Sequence, residues 1–132
     1  MKPLEGRRIL LCEDHDINAT VTIEMLEKGG AVVERAWNGA EGVRMFSESE
    51  PGYFRAILMD VRMPQMDGLA ATRTIRAMDR EDAAKIPIVA MTVNFCDEDI
   101  QASLDSGMNA HLIKPVEPKE IYELLDSMTK AF

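Results

Sequence analysis

The sequence predicts an α/β fold, a doubly wound parallel sheet with helices on both faces. Five short apolar runs alternate along the chain with segments in which apolar residues recur at helical spacing. The apolar runs are continuous, which is typical of strands buried on both faces of a parallel sheet. Strands that alternate with helices are joined by right-handed crossovers, and this favours the doubly wound arrangement.

The strands and helices are predicted to follow one another as five βα units. The strands are expected at residues 9–12, 31–33, 56–59, 86–91 and 110–113. The helices are expected where apolar residues recur at three- or four-residue intervals, in segments 17–25, 39–46, 71–78, 100–108 and 121–128. Turn signals such as Asn38-Gly39 separate the elements. Asp16, Asn18 and Asp67 are interpreted as cap or turn residues of the helices that they open.

The length of 132 residues suits one domain with a single core. We expect a short tail at residues 1–6 and the domain itself at residues 7–130. No apolar run is long enough for a membrane span or a signal segment, so we expect a cytoplasmic protein without membrane contact. Cys12 and Cys96 form no CxxC pair and are interpreted as reduced thiols.

The formal net charge is −8, with 46% hydrophobic and 29% charged residues. These fractions are ordinary for a globular domain. The negative charge argues against nucleic acid as a partner, because such a surface carries clustered lysine and arginine.

Polar side chains follow four of the five predicted strands. Glu13 and Asp14 come after the first strand and Asp60 after the third, while Thr92 and Lys114 follow the fourth and fifth. Doubly wound sheets bind ligands beyond the carboxyl ends of their strands. If the first and third strands are neighbours, the three carboxylates converge at that edge.

Three converging carboxylates favour a divalent cation. They repel one another at close range, so they do not all ionise cheaply without a positive charge nearby. Mg2+ prefers oxygen ligands and keeps some of its waters, and an all-carboxylate set favours it over zinc. The sequence therefore predicts a Mg2+ site formed by Glu13, Asp14 and Asp60.

Lys114 and Thr92 add the groups that phosphoryl transfer needs. An ammonium group suits a phosphoryl oxygen, and a hydroxyl donates a hydrogen bond to one. Asp60 would then act as the nucleophile and form an acyl phosphate. A lone aspartate after a strand is most often a turn or cap residue, so this prediction depends on all the strand-end positions together.

At these positions the chain resembles the response-regulator receiver domains, the CheY-like family. The resemblance covers residues 7–130 and is closest to the receivers of hybrid histidine kinases. The matching motifs are Leu10-Leu11-Cys12-Glu13-Asp14, the segment from Leu58 to Gly68 around Asp60, the segment from Pro87 to Thr92, and Ile113-Lys114-Pro115.

The resemblance implies a flavodoxin-like (βα)5 fold, with a five-stranded parallel sheet of order 2-1-3-4-5. It implies that the carboxylates of Glu13, Asp14 and Asp60 hold Mg2+ together with the backbone carbonyl of Arg62. Thr92 and Lys114 are expected to bind the phosphoryl group. The Arg62 carbonyl is expected as a ligand from the resemblance alone.

The resemblance also implies a phosphorelay function. The donor would be a phosphohistidine on a histidine kinase or a histidine phosphotransfer protein, and a covalently linked kinase or output domain would lie outside this chain. Thr92 and His111 occupy the family's switch positions, and Arg62 and Asn94 occupy positions that tune dephosphorylation. The domain would be a signalling switch rather than an enzyme, limited to self-phosphorylation and autodephosphorylation.

Three other functions are weaker interpretations of the same residues. A haloacid-dehalogenase-type phosphatase needs a second aspartate two residues after its nucleophile, where this chain has Arg62. A flavin site needs a phosphate-binding loop after the first strand, where Glu13 and Asp14 would repel FMN. A phosphorylation-independent receiver-like interaction module stays open as the alternative, although such modules typically lack one of the acidic residues or the lysine.

Overall fold

Five strands and five helices alternate along the chain. The computed structural model describes residues 2–63, 65–93 and 97–129, with the backbone alone at 97–99. The elements are β1 (Arg8–Cys12), α1 (Asp16–Lys28), β2 (Val32–Ala36), α2 (Gly39–Glu48), β3 (Ala56–Asp60), α3 (Gly68–Arg76), β4 (Ile88–Thr92), α4 (Asp97–Ser106), β5 (Ala110–Ile113) and α5 (Pro118–Thr129). Within those ranges, no helix combines the length and the hydropathy that a membrane crossing requires. The predicted series of five βα units is confirmed.

The five strands form one parallel sheet of order β2-β1-β3-β4-β5. Successive residues of a strand point to opposite faces, so β1 contributes to two separate cores. Leu10 and Cys12 pack on one face, and Ile9 and Leu11 pack on the other. Both faces are covered by helices, and the predicted flavodoxin-like order is confirmed.

Two strands differ at one end from the sequence-based expectation by more than one residue. β2 continues to Ala36 because it lies at the edge of the sheet, where Glu34 and Arg35 remain partly exposed and need no apolar character. β4 begins at Ile88, one residue after Pro87, because proline has no N–H for the ladder. The carbonyl of Pro87 still accepts a hydrogen bond from the Ile57 N–H at 2.9 Å.

The helix starts confirm one predicted cap and correct another. The Asp67 carboxylate caps α3 by accepting a hydrogen bond from the Ala70 N–H at 2.8 Å. The cap residue of α1 is His15, whose side chain makes no capping hydrogen bond. The capping role expected for Asp16 and Asn18 is therefore wrong. Asp16 instead forms an ion pair with Arg35 across the loop.

Part of the amino-terminal segment packs against the sheet and helices. Leu4 is fully buried, and its N–H donates to the Gly29 carbonyl at 2.7 Å. The Gly6 N–H donates to the Gly30 carbonyl at 3.0 Å. These contacts attach residues 4–6, expected to belong to a tail, to the turn between α1 and β2.

Candidate functional site

The carboxyl ends of the strands bring the predicted site residues to one edge of the sheet. Glu13 follows β1 directly, Asp60 is the last residue of β3, and Thr92 is the last residue of β4. Lys114 follows β5. Since β3 lies between β1 and β4, Asp60 occupies the centre of this edge.

Three carboxylates cluster at this edge. One oxygen from each of Glu13, Asp14 and Asp60 lies within 4.8 Å of the other two. Glu13 is only 1% exposed and Asp60 8% exposed. The convergence predicted from neighbouring first and third strands is therefore observed, and it creates a site composed of oxygen donors that fits a hard divalent cation.

Lys114 bridges the two buried carboxylates. Its Nζ donates to Glu13 Oε1 at 2.7 Å and to Asp60 Oδ2 at 3.3 Å. The remaining oxygens accept from backbone amides, Glu13 Oε2 from the His15 N–H at 3.3 Å and Asp60 Oδ1 from the Arg62 N–H at 3.4 Å. One ammonium group therefore faces two acids, and the site carries excess negative charge when both ionise.

The two buried acids ionise differently. Burial raises the pKa of Asp60 to about 7, and hydrogen bonding to Glu13 adds to this effect against the attraction of Lys114. Burial alone would also raise the pKa of Glu13, but hydrogen bonds from Lys114 and Asp60 hold it below its ordinary value. Burial opposes the charged form of Lys114, yet its hydrogen bond to Glu13 raises its pKa. Without a bound metal ion, Glu13 and Lys114 are charged, whereas Asp60 titrates near neutral pH.

The cleft above these groups is small and open to solvent on one side. Its volume is about 170 Å3. Organic ligands and cofactors generally occupy pockets of about 300–1,000 Å3, so this cleft suits an ion and a phosphoryl-sized group rather than a flavin or nucleotide. The lining residues are Glu13, Asp14, His15, Asn18, Asp60, Arg62, Thr92, Val93 and Lys114.

The remaining predicted site residues have different positions. Thr92 and Arg62 line the cleft. His111 is a half-buried residue of β5, opposite Ala90 of β4, and does not line the cleft. Asn94 lies outside the described residues.

One residue that contacts the acidic loop, the segment between β1 and α1 that carries Glu13 and Asp14, was not identified from the sequence. Arg35, on the edge strand β2, donates to the Glu13 carbonyl from Nε at 3.0 Å and from Nη2 at 2.9 Å. Its Nη1 lies 3.0 Å from Asp16 Oδ1. The available sequence signal was weak: a cation on an edge strand three residues before a turn, which is also typical of a solvated side chain.

A family model and a curated relative match nearly the whole chain. The model of the response regulator receiver domain matches residues 9–126. A probable histidine kinase 2 of Oryza sativa subsp. indica is 36% identical over 140 aligned positions, which include 98% of this chain. The chain spans only 13% of the length of that kinase.

Solved structures agree with this match. The receiver domain of a sensor histidine kinase from Pseudomonas aeruginosa PAO1, with a magnesium ion coordinated in its active site cleft, is 38% identical, with a TM-score of 0.85. The match covers 94% of this chain and 98% of that one.

A second match comes from a Saccharomyces cerevisiae co-crystal structure. That structure contains the histidine phosphotransfer protein Ypd1 and the receiver domain of its downstream response regulator Ssk1, and the matched chain is 28% identical, with a TM-score of 0.84. The match covers 96% of this chain and 90% of that one. The resemblance drawn from the motifs is confirmed by the family model, the kinase relative and the shared fold. This chain belongs to the response regulator receiver domains, the signalling domains of two-component and phosphorelay systems.

Proposed function

We propose that Asp60 accepts a phosphoryl group from a phosphohistidine in a Mg2+-dependent reaction. The observation that carries this proposal is the acidic cluster of Glu13, Asp14 and Asp60 beside Lys114, in a cleft of about 170 Å3. Asp60 is the central member, and its Oδ2 already faces the lysine ammonium group.

The same residues fit the Mg2+ ion. The carboxylates of Glu13, Asp14 and Asp60 would hold it, and the backbone carbonyl of Arg62 would complete the protein ligands. When bound, the ion supplies positive charge beside the phosphoryl oxygens and favours the ionised form of Asp60. The excess negative charge of the cluster supports this assignment, since Lys114 balances only one of the three carboxylates.

The transfer step follows from the positions of these groups. An oxygen of Asp60 attacks the phosphorus in line, the phosphorus–nitrogen bond breaks, and the bond electrons leave with the donor imidazole. Lys114 neutralises charge on the phosphoryl oxygens, and the Thr92 hydroxyl donates a hydrogen bond to the acyl phosphate. Positioning and charge neutralisation account for the chemistry, so the domain needs no separate acid or base.

The switch and its reset are also part of the proposal. Movement of Thr92 toward the phosphoryl group would change the packing of His111 on the adjacent strand β5, since β4 and β5 are paired neighbours. Hydrolysis of the acyl phosphate returns the domain to its starting state. Arg62, which lines the cleft, and Asn94 would tune the rate of that autodephosphorylation.

The proposed partner is a histidine kinase or a histidine phosphotransfer protein. Helix α1 carries Asn18 at the cleft and leaves Ile17 74% exposed and Val21 54% exposed beside it. An exposed apolar strip beside the cleft suits a protein donor, because it can be buried against a protein surface, whereas a small-molecule donor is too small to cover it. The chain spans 13% of the length of its kinase relative, and a kinase or output domain linked to this chain would agree with that difference in length.

We also propose the cytoplasmic location expected from the sequence and a domain boundary near residues 7–130. Cys12 is a buried free thiol, which fits a reducing compartment. The contacts of Leu4 and Gly6 support including residues 4–6 in any fragment prepared for experiments.

Phosphoryl uptake measured by intact mass spectrometry tests the proposal. Wild type is incubated with phosphoramidate, a small donor with a phosphorus–nitrogen bond, with and without Mg2+. We expect one added phosphoryl group only with Mg2+, none in Asp60→Asn, and wild-type uptake in Asp67→Asn. The last variant is a matched control, because asparagine preserves the cap of α3.

The same assay separates the proposed function from the alternative. A phosphorylation-independent interaction module would gain no phosphoryl mass in any arm. Equal uptake by Asp60→Asn and wild type would place the reaction on another residue and overturn the assignment of Asp60.

A further inference from the structure

The loop between β1 and α1 carries Glu13 and Asp14 and is held from outside the cleft by one side chain. Arg35 reaches it from the edge strand β2, where its Cα pairs with that of Leu11. The Arg35 side chain is 12% exposed, although β2 is an edge strand. Such burial of a guanidinium group at a sheet edge requires several partners.

The guanidinium group of Arg35 makes three kinds of contact. Its Nε and Nη2 both donate to the Glu13 carbonyl, at 3.0 and 2.9 Å. Its Nη1 lies 3.0 Å from Asp16 Oδ1, in the first turn of α1. Its Cζ lies 4.4 Å from the ring centroid of Trp37, which restricts the orientation of the planar group.

The Glu13 carbonyl belongs to the peptide unit that joins Glu13 to Asp14. That unit is planar, so its oxygen and the Cα atoms of Glu13 and Asp14 rotate together. Holding the oxygen in place therefore restricts the orientation of the whole unit. The N–H of Glu13 is held separately, because it donates to the Ala36 carbonyl at 3.0 Å. Strand β2 therefore fixes the backbone on both sides of the Glu13 Cα.

We propose that Arg35 is a positioning residue for the metal site, because it sets the peptide plane from which the Glu13 and Asp14 carboxylates project. The inference rests on the proposed function, which assigns these two carboxylates to Mg2+. The pairing of Asp16 with Arg35 contributes less, since the Asp16 side chain is 82% exposed and solvent screens the pair. The two hydrogen bonds to one carbonyl are the main contact.

The consequence is a dependence of Mg2+ affinity on a residue that contributes no ligand. Groups that orient metal ligands without touching the metal typically change its affinity by about 10- to 100-fold when removed. Arg35→Met removes the donors while keeping a long side chain that covers Trp37. Arg35→Lys keeps the charge but loses the two-pronged geometry, because an ammonium group is a point donor.

Arg8 provides a matched control at the opposite end of the sheet. It is a strand residue that pairs with Glu34 at 3.0 Å and lies over the Tyr53 ring at 4.4 Å. Arg8 therefore has the same two secondary contacts as Arg35, an ion pair and a cation–π contact, but none of its described hydrogen bonds reaches the acidic loop. Arg8→Met loses an ion pair and a cation–π contact without affecting the cleft.

The test combines a Mg2+ titration by calorimetry with the position of the Asp14 amide signal in 1H–15N spectra of metal-free protein. We expect Arg35→Met to raise the Mg2+ dissociation constant by about tenfold. Arg35→Lys should recover part of the affinity, and Arg8→Met should bind as wild type does. In metal-free protein the Asp14 amide signal should shift in Arg35→Met and stay in place in Arg8→Met.

Two results would overturn the inference. One is wild-type Mg2+ affinity in Arg35→Met, and the other is an equal loss of affinity in Arg8→Met. If wild type itself binds no Mg2+, the proposed metal site fails, and an unmoved Asp14 signal in Arg35→Met would then refute the role of Arg35 independently.

Discussion

Asp60 and Glu13 share one positively charged partner, the Lys114 ammonium group. Lys114 lies closer to Glu13, at 2.7 Å, than to Asp60, at 3.3 Å. Glu13 therefore retains its charge, whereas burial and its acidic neighbour raise the pKa of Asp60 to about 7. The nucleophile of the proposed reaction is the acid that most needs an additional cation in order to ionise.

This difference in pKa between the two acids predicts a pH dependence of the stability of metal-free protein. Asp60 titrates near its ordinary value of 3.8 in the unfolded chain and near 7 in the folded chain. Between those values the folded state binds more protons, so the Asp60 contribution to the unfolding free energy decreases as pH rises and levels off above 7. Glu13, whose pKa is lowered, has the opposite effect only below its ordinary value of 4.5.

Urea denaturation of wild type and Asp60→Asn between about pH 5 and pH 8, with a chelator present, measures this effect. We expect the unfolding free energy of Asp60→Asn, relative to that of wild type, to increase as pH rises across that range. This difference is called the advantage of Asp60→Asn. Saturating Mg2+ should reduce the advantage, because it favours the ionised carboxylate. A difference between the two proteins that does not change with pH would contradict the assignment.

Lys114 is predicted to stabilise the fold as well as the reaction. Lys114→Met leaves Glu13 and Asp60 without their shared donor, and at pH 8 this should lower the unfolding free energy by about 2 kcal/mol. The loss should be smaller at pH 5, where Asp60 is protonated. Lys119→Met, an exposed position on α5, serves as the control in the same urea experiment. Equal losses for the two variants would indicate that the bridge contributes nothing.

Among the elements, the start of α3 lies against the backbone of Asp60 at the end of β3. The Gly68 N–H donates to the Val61 carbonyl at 2.9 Å, and Asp67 caps the helix at the same place. A Cβ added at Gly68 would collide with the backbone carbonyl of Asp60. The helix can begin beneath Asp60 only because residue 68 has no side chain.

Gly68→Ala should therefore affect both stability and chemistry. We expect a loss of about 2 kcal/mol from the forced shift of backbone and slower phosphoryl uptake, because Asp60 moves with its carbonyl. Gly52→Ala is the control: it has a φ of +84° and open space around it, so we expect backbone strain of about 1 kcal/mol and unchanged uptake. Wild-type uptake by Gly68→Ala would contradict the proposed coupling between α3 and Asp60.

At the scale of the whole molecule, the fold and most of the cleft could be predicted because they follow from regular patterns. A continuous apolar run such as residues 56–59 of β3 has no polar face, so only a sheet covered on both sides can bury it. Parallel strands place their carboxyl ends on one edge, so the convergence of Glu13, Asp60 and Lys114 could be predicted from the sequence.

Contacts that no regular pattern of residues specifies could not be predicted in this way. Arg35 is indistinguishable in sequence from a solvated edge residue, and its role depends on the path of a loop 22 positions earlier. The helical spacing of Ile17 and Val21 indicates a helix but not which side is buried, and the buried residues of α1 are Ala19, Thr22 and Leu26. Leu4 lies before the first strand, where no periodicity indicates burial.

Chemical trapping gives the sharpest test of phosphorylation at Asp60. Borohydride reduces an aspartyl phosphate to homoserine, which tandem mass spectrometry of the digested chain locates at a single position. After incubation of wild type with acetyl phosphate and Mg2+, we predict homoserine at position 60 alone, and none when Mg2+ is chelated. Homoserine at position 14 or 67 instead, or at no aspartate at all, would show that Asp60 is not the phosphoacceptor.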